Sequence, residues 1–171
     1  MHIVSNPIAL SAKIYSVLAF AMMVLMASCK SGNQDIVAEQ QAKVKTGVTQ
    51  FADSIATNIT RDGPIAWLKY FNDSPTFFMA SDGQLVFNSH DAADKFIKTT
   101  LIKAITKINL KWSNLRIDPL TPDIAMMAAN FHEDLTDNTD KTTPCDGYFT
   151  AVAQQTGKGW QLRNAHWSIK H

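Results

Sequence analysis

Cysteine is scarce in this chain. Two in 171 residues, Cys29 and Cys145, allow one disulfide at most. Excess charge is missing as well: 16 basic and 15 acidic residues leave a formal net charge of +1. That balance gives no footprint for nucleic acid or for an anionic surface, so no nucleic-acid partner is expected. Nor is there a phosphate-binding glycine loop, a nucleophile elbow or a zinc-binding helix motif, which argues against the common cofactor enzymes. No cofactor and no metal are expected.

What the sequence does have begins at its N-terminus. An uncharged apolar run, Ile14 to Ala27, follows Lys13 and leads into Ser28, Cys29 and Lys30. A positive flank, a short apolar stretch and small residues before a cut describe an export signal. The run is short for a membrane span, which needs about 20 apolar residues. Met26-Ala27-Ser28 before Cys29 resembles the bacterial lipobox, with Met26 where leucine is usual. The alternatives are an ordinary secretory signal with Cys29 as a bystander, or an uncleaved helix. The lipobox reading divides the chain into a lipoprotein signal peptide at 1–28, a polar tether at 29–34 and one domain at 35–171. It makes the lipid bilayer a partner through acylated Cys29, since stable anchoring takes more than one acyl chain at about 0.8 kcal/mol per buried CH₂. It leaves Cys145 without a disulfide partner. Lys30, not an acid, after the acylated residue is compatible with sorting to an outer membrane, with the domain facing the periplasm. Because Lys13 is the only charge in the leader, the mature chain carries 15 residues of each sign.

The domain reads as helices first and strands last. Val44, Val48, Phe51 and Ile55 recur at helical spacing over 35–60. Arg61-Asp62-Gly63-Pro64 breaks that helix, and Asp62 is placed to cap a second one carrying Trp67, Leu68, Tyr70 and Phe71. Residues 76–80 and 84–87 flank Ser81-Asp82-Gly83 as a hairpin. Asn88 or Ser89 offers an N-cap for a third helix over 91–105. Four strand-like runs follow, at 106–117, 124–135, 147–155 and 160–170. Their separators are Asp118-Pro119 through Pro122-Asp123, the polar stretch 136–146, and Thr156-Gly157-Lys158-Gly159. This order predicts an α+β fold with three helices on one face of a curved, mainly antiparallel sheet.

The order of elements, Leu68 through Phe71, Ser81-Asp82-Gly83, the helix starting near His90, and above all Gly159-Trp160-Gln161-Leu162 leading to His166-Trp167-Ser168 resemble the nuclear transport factor 2-like superfamily, including its SnoaL-like and ketosteroid isomerase-like groups. The likeness spans residues 50–168. It implies a conical pocket between sheet and helices, and often a homodimer through the outer sheet face. It does not select an activity, because that fold hosts isomerases, dehydratases, hydrolases and non-catalytic binders.

Strand alternation puts Trp160, Leu162, Asn164, His166 and Ser168 on one face of the last strand, expected to meet the helices, and Gln161, Arg163, Ala165 and Trp167 on the other. His166 is the leading catalytic candidate because imidazole exchanges protons near neutrality; a purely structural histidine is the alternative. Tyr148, sharing a face with Thr150, is a second candidate that could polarise a carbonyl, as tyrosines do in the isomerases. Trp67, Tyr70, Phe78, Phe87, Phe131, Thr150, Asn164 and Ser168 are candidate ligand-binding residues, although aromatic residues at such spacing also suit a core. No pocket acid of the isomerase kind is matched: Glu133 and Asp134 are placed at a strand end beside a polar loop. His132, Glu133, Asp134, Asp137 and Asp140 fit no metal-ligand spacing and read as an acidic hairpin loop. Cys145 has no neighbouring positive charge to activate it.

Three functions compete on these grounds. The first is a membrane-anchored binder of a small apolar molecule. The second is an isomerase, dehydratase or hydrolase using His166. The third is an envelope interaction module acting through Trp167, Arg163 and Trp112 on the outer sheet face.

Overall fold

The computed structural model describes residues 37–170; the expected leader, Cys29 and the tether lie outside the described residues. Helix α1 (Ala38–Asp62) buries Val44, Val48, Phe51, Ala52, Ile55 and Ile59 along one stripe. Gly63 ends it with φ +73, a left-handed backbone that glycine adopts without strain. A 3-10 helix (Pro64–Lys69) follows, with Gly63 at its N-cap. Asp62 does not cap it, because its carboxylate is held by the Arg61 guanidinium at 2.7 and 2.6 Å.

Strands β1 (Phe78–Ser81) and β2 (Gln84–Phe87) form the expected hairpin. Ser89 caps α2 (His90–Phe96), its Oγ accepting the Ala92 N–H at 3.2 Å. The helix runs on through a π turn (Ile97–Leu101) into the short α3 (Ile102–Ala104). Four long strands complete the chain: β3 (Ile105–Thr121), β4 (Ile124–Asp137), β5 (Thr142–Thr156) and β6 (Gly159–Ile169). They are longer than the sequence predicts at two separators. Asp118 and Pro119 belong to β3, which accepts a proline because it is an edge strand. Most of the polar stretch 136–146 is also paired, leaving a short turn between Asp137 and Thr142.

The six strands are ordered β2-β1-β6-β5-β4-β3, with β1 parallel to β6 and every other pair antiparallel. Helix α1 lies across the concave face. There the Ala52 carbonyl accepts the Trp112 indole N–H at 3.0 Å, and Thr60 Oγ1 accepts the Leu110 N–H at 3.1 Å. Of the register shifts in the sheet, two lie well inside the long strands. In β3 an extra residue lies between Ser113 and Arg116, with Asn114 at φ +52. In β6, Leu162 pairs with Ala153 and Asn164 with Val152, so Arg163 is the extra residue.

The second bulge overturns the expected facing of the last strand, since one added residue exchanges the two faces of everything beyond it. Leu162 points into the core as expected, but from Ala165 onward the inward residues are Ala165, Trp167 and Ile169. Asn164, His166 and Ser168 therefore lie on the outer face, opposite Val152, Thr150 and Tyr148. Trp167 is not an outer-face residue. Its ring sits among Phe149, Trp67, Phe131 and Trp112, with centroids at 4.3, 5.1, 5.5 and 6.1 Å. Edge-on and tilted aromatic pairs of this kind contribute about 0.5–1.5 kcal/mol each beyond their buried area.

Gly147 faces that cluster from β5. A Cβ there would strike the Ser168 carbonyl and come within 2.5 Å of the Phe131 ring. Gly147→Ala is therefore expected to lower stability by at least about 2 kcal/mol, read from the urea midpoint.

Candidate functional site

The aromatic cluster fills the narrow end of the cone and leaves the wide end open. That space, about 420 Å³, lies between the hairpin, the π turn and the distal halves of the long strands. Trp67, Phe71, Phe87, Phe96 and Trp167 supply aromatic walls, and Met79, Ile97, Leu101, Ile105, Ile108, Leu135 and Ile169 aliphatic ones. Both ends of the π turn reach it, at Ile97 and Leu101; such turns recur at functional sites. Apart from the indoles of Trp67 and Trp167, its polar lining side chains are Ser81 and Glu133.

Glu133 stands out on physical grounds. It is 8% exposed and forms no hydrogen bond or ion pair among the described residues. The strand fixes its direction. Ala125, Met127, Ala129, Phe131 and Glu133 alternate inward along β4, so Glu133 continues the core stripe just beyond the aromatic cluster. Leu110 flanks it on β3 and Cys145 on β5. Burial in this apolar setting pushes its carboxyl up to about 7 from an ordinary value of 4.5. A carboxyl poised near neutrality can donate a hydrogen bond, hold a cation or exchange a proton. Cys145 is partly buried and free. Its thiol is pushed up first by burial and then by Glu133, Asp146 and Asp82, which keeps it protonated.

The residues singled out from sequence are scattered. Trp67 and Phe87 line the cone. Phe131 is buried beneath Trp167 and does not line the cavity. Tyr70 faces the other side of α1, where its hydroxyl donates to the Ser54 carbonyl at 2.7 Å beside Trp160 and Lys158. Phe78, Thr150, Asn164 and His166 gather around a recess of about 110 Å³ on the outer sheet face. There His166 makes no hydrogen bond or ion pair with any described side chain, so nothing orients it for proton transfer. Tyr148 and Ser168 border a wider outer-face hollow of about 620 Å³ with Asn130, Asp146 and Lys170. That hollow is larger than the cone, but its Asp146, Tyr148, Ser168 and Lys170 side chains are all exposed, so it offers little shelter from water. Cys29 lies outside the described residues.

The acidic segment is organised by hydrogen bonds and ion pairs. His132 bridges two carboxylates on the outer face, with Nδ1 at 2.8 Å from Asp146 and Nε2 at 3.3 Å from Asp134. The hydrogen bond to Asp146, followed by the charges of both partners, raises the pKa of its imidazole. Among the described residues no group of three or more His, Cys, Asp and Glu is arranged to hold a metal ion.

Sequence comparison yields no match to a family model and none to a curated protein. Structural comparison does find relatives. A nuclear transport factor 2-like superfamily protein from Salmonella enterica superposes with TM-score 0.64 and 19% identity, over 76% of this chain and 93% of that one. A scytalone dehydratase-like protein from Novosphingobium aromaticivorans gives 0.67 and 9%, over 78% and 88%. A hexachlorocyclohexane dehydrochlorinase from Novosphingobium barchaimii gives 0.60 and 7%, over 76% and 88%. The chain therefore has the nuclear transport factor 2-like cone fold; identities this low carry the fold alone.

The buried carboxyl has a consequence for stability. Between pH 4.5 and about 7 the folded chain keeps a proton on Glu133 that the unfolded chain has released, so unfolding free energy falls across that window. Above it the ionised, unpaired carboxylate costs up to about 3 kcal/mol. Glu133→Gln, which cannot ionise, is expected to be more stable than the wild type at alkaline pH and equal to it near pH 4.5. Thermal melts across that range check this.

Proposed function

We propose that this domain takes up a small, largely apolar molecule in the wide end of the cone, against Glu133, and is held at a bacterial envelope membrane by acylated Cys29. The observation that carries the first part is a buried carboxyl with no partner inside an otherwise apolar cavity of about 420 Å³. Sites for small ligands have this composition: apolar walls and a few placed polar groups. The second part rests on the lipobox-like run ending at Cys29. Binding is preferred over catalysis because, among the described residues, no second proton-handling group with a suitable charge state stands beside Glu133. If the site is catalytic, Glu133 suits the isomerase or dehydratase kind of proton transfer better than His166 does. The outer face, with Phe78, Met126 and Tyr148 exposed, suits a homodimer.

Two experiments test the proposal. Calorimetric titration with 1-adamantanol, a neutral apolar probe small enough for the cone, is expected to show saturable binding. Leu101→Trp, which fills the cavity from the π turn, is expected to weaken that binding at least about tenfold with an unchanged circular dichroism spectrum. Absence of wild-type binding both for this alcohol and for its amine isostere, 1-adamantanamine, overturns the cavity reading. For the anchor, full-length chain expressed in a diderm bacterium is expected to incorporate labelled palmitate and sediment with membranes. Cys29→Ser is expected to do neither; label retained by that variant overturns the assignment.

A further inference from the structure

We infer that the cone selects a lipophilic amine, bound as its ammonium against Glu133 and the surrounding aromatic rings. This inference rests on the cavity-binding reading above and goes on to name the ligand class.

Glu133 is the ionisable group in the cavity, and it has no hydrogen bond or ion pair among the described residues. Ser81, the other polar lining side chain apart from the indoles, already donates its hydroxyl to Asp82 at 3.1 Å, and Asp82 in turn accepts the Ile169 N–H at 2.8 Å. A buried acid without a partner is costly, and a ligand that supplies one recovers that cost. Two kinds of ligand can do so. A neutral hydrogen-bond acceptor would pair with the protonated acid, and a cation would pair with the carboxylate.

The lining decides between them. Five aromatic side chains, Trp67, Phe71, Phe87, Phe96 and Trp167, surround the same space, and aromatic faces attract cations, tryptophan most strongly. Among the described residues no lysine, arginine or histidine lines the cavity, so none of them is a counter-ion for Glu133 or repels an ammonium. The titratable group opposite Glu133 is Cys145 on β5, and the carboxylates that act on that thiol besides Glu133 are Asp146 and, in the hairpin turn, Asp82. None of these carries positive charge, and the β3 neighbour Leu110 carries no charge at all. His132 and Asp134 project from the opposite face of β4 and pair there with Asp146 and Asn109. An anionic ligand such as a fatty acid would meet a like charge with no counter-ion and is disfavoured. One point charge ringed by aromatic and aliphatic walls matches a single ammonium on an apolar body.

The proposal fixes the sign of a pH dependence. An amine stays protonated through neutrality, as a lysine side chain does. Its binding requires Glu133 to ionise, so affinity rises with pH and one proton is released at acid pH. A neutral acceptor gives the reverse slope. The experiment compares 1-adamantanamine with its neutral isostere 1-adamantanol by calorimetry at about pH 5.5 and about pH 8, in buffers of differing ionisation enthalpy. Amine affinity is expected to strengthen on the order of tenfold across that interval. At the lower pH, heats that vary with buffer are expected to report proton release. Glu133→Gln, expected to fold at least as stably as the wild type, is expected to lose the pH slope. Amine binding that is no tighter than alcohol binding at the higher pH, or that is independent of pH, overturns the ammonium assignment while leaving the cavity reading in place. Failure of both probes to bind the wild type overturns the cavity reading and the inference with it.

Discussion

The single unmatched residue in β6, Arg163, governs what this domain can do. Before it, the strand contributes Leu162 to the core; after it, the alternation restarts on the other parity and sends Trp167 inward. Without the bulge, Trp167 would face out and His166 in, and the aromatic cluster would lose the ring that Phe149, Trp67, Phe131 and Trp112 all touch. Small inward residues make room for that ring system. On the neighbouring β5, a Cβ at Gly147 would strike the Phe131 ring, and Ala129, Ala151 and Ala165 are further small buried residues of these strands. A bulge is thus a packing device as well as a bend: it selects which tryptophan becomes core.

Closing the narrow end this way confines empty space to the wide end, where the walls come from different parts of the sequence. The hairpin contributes Met79, Ser81 and Phe87, the π turn Ile97 and Leu101, and the strands Ile108, Glu133 and Leu135. The helical side is held by Phe87 against Phe96, with centroids 5.4 Å apart. Two of the wall residues, Val86 and Phe96, are 43% and 38% exposed, so the mouth presents apolar surface to solvent. Glu133 sits where a leucine or phenylalanine would complete the core stripe of β4. A buried ionisable group at a core position weakens the fold at neutral pH, which is the usual relation between a binding site and the stability of its scaffold.

Much of this architecture is legible in the sequence. The stripe Val44, Val48, Phe51, Ile55 gives α1 its buried face, Ser89 caps α2, and Ser81-Asp82-Gly83 turns the hairpin. The α+β order and the antiparallel run of long strands follow from periodicity and turn chemistry. The site is much less legible, for two physical reasons. Strict alternation cannot reveal a bulge, because Arg163 and Asn114 are not glycines and the local sequence looks like uninterrupted strand; alternation alone consequently puts His166, Asn164 and Ser168 inside. In sequence, Glu133 reads as part of a polar loop because His132, Asp134 and Asp137 surround it. The signal that finds it is the parity of β4: counting by twos from Ala125 through Phe131 lands on Glu133, while its charged neighbours fall on the other face.

That parity also explains why one acidic segment holds two different electrostatic environments. On the outer face, His132 gathers Asp134 and Asp146, and Asn109 donates to Asp134 at 3.1 Å, so charges of both signs lie together in water. One residue away, on the inner face, Glu133 has no counter-ion among the described residues and meets solvent only through the cavity it lines. Solvated pairs of the first kind contribute little to stability and recognition because water screens them. The second kind is where a ligand's charge has the largest effect, since an apolar wall removes the screening and leaves the carboxyl's free energy to be set by whatever enters beside it. Specificity in this cone is therefore expected to come from what a ligand does to Glu133, with the surrounding aromatic and aliphatic walls setting size and shape.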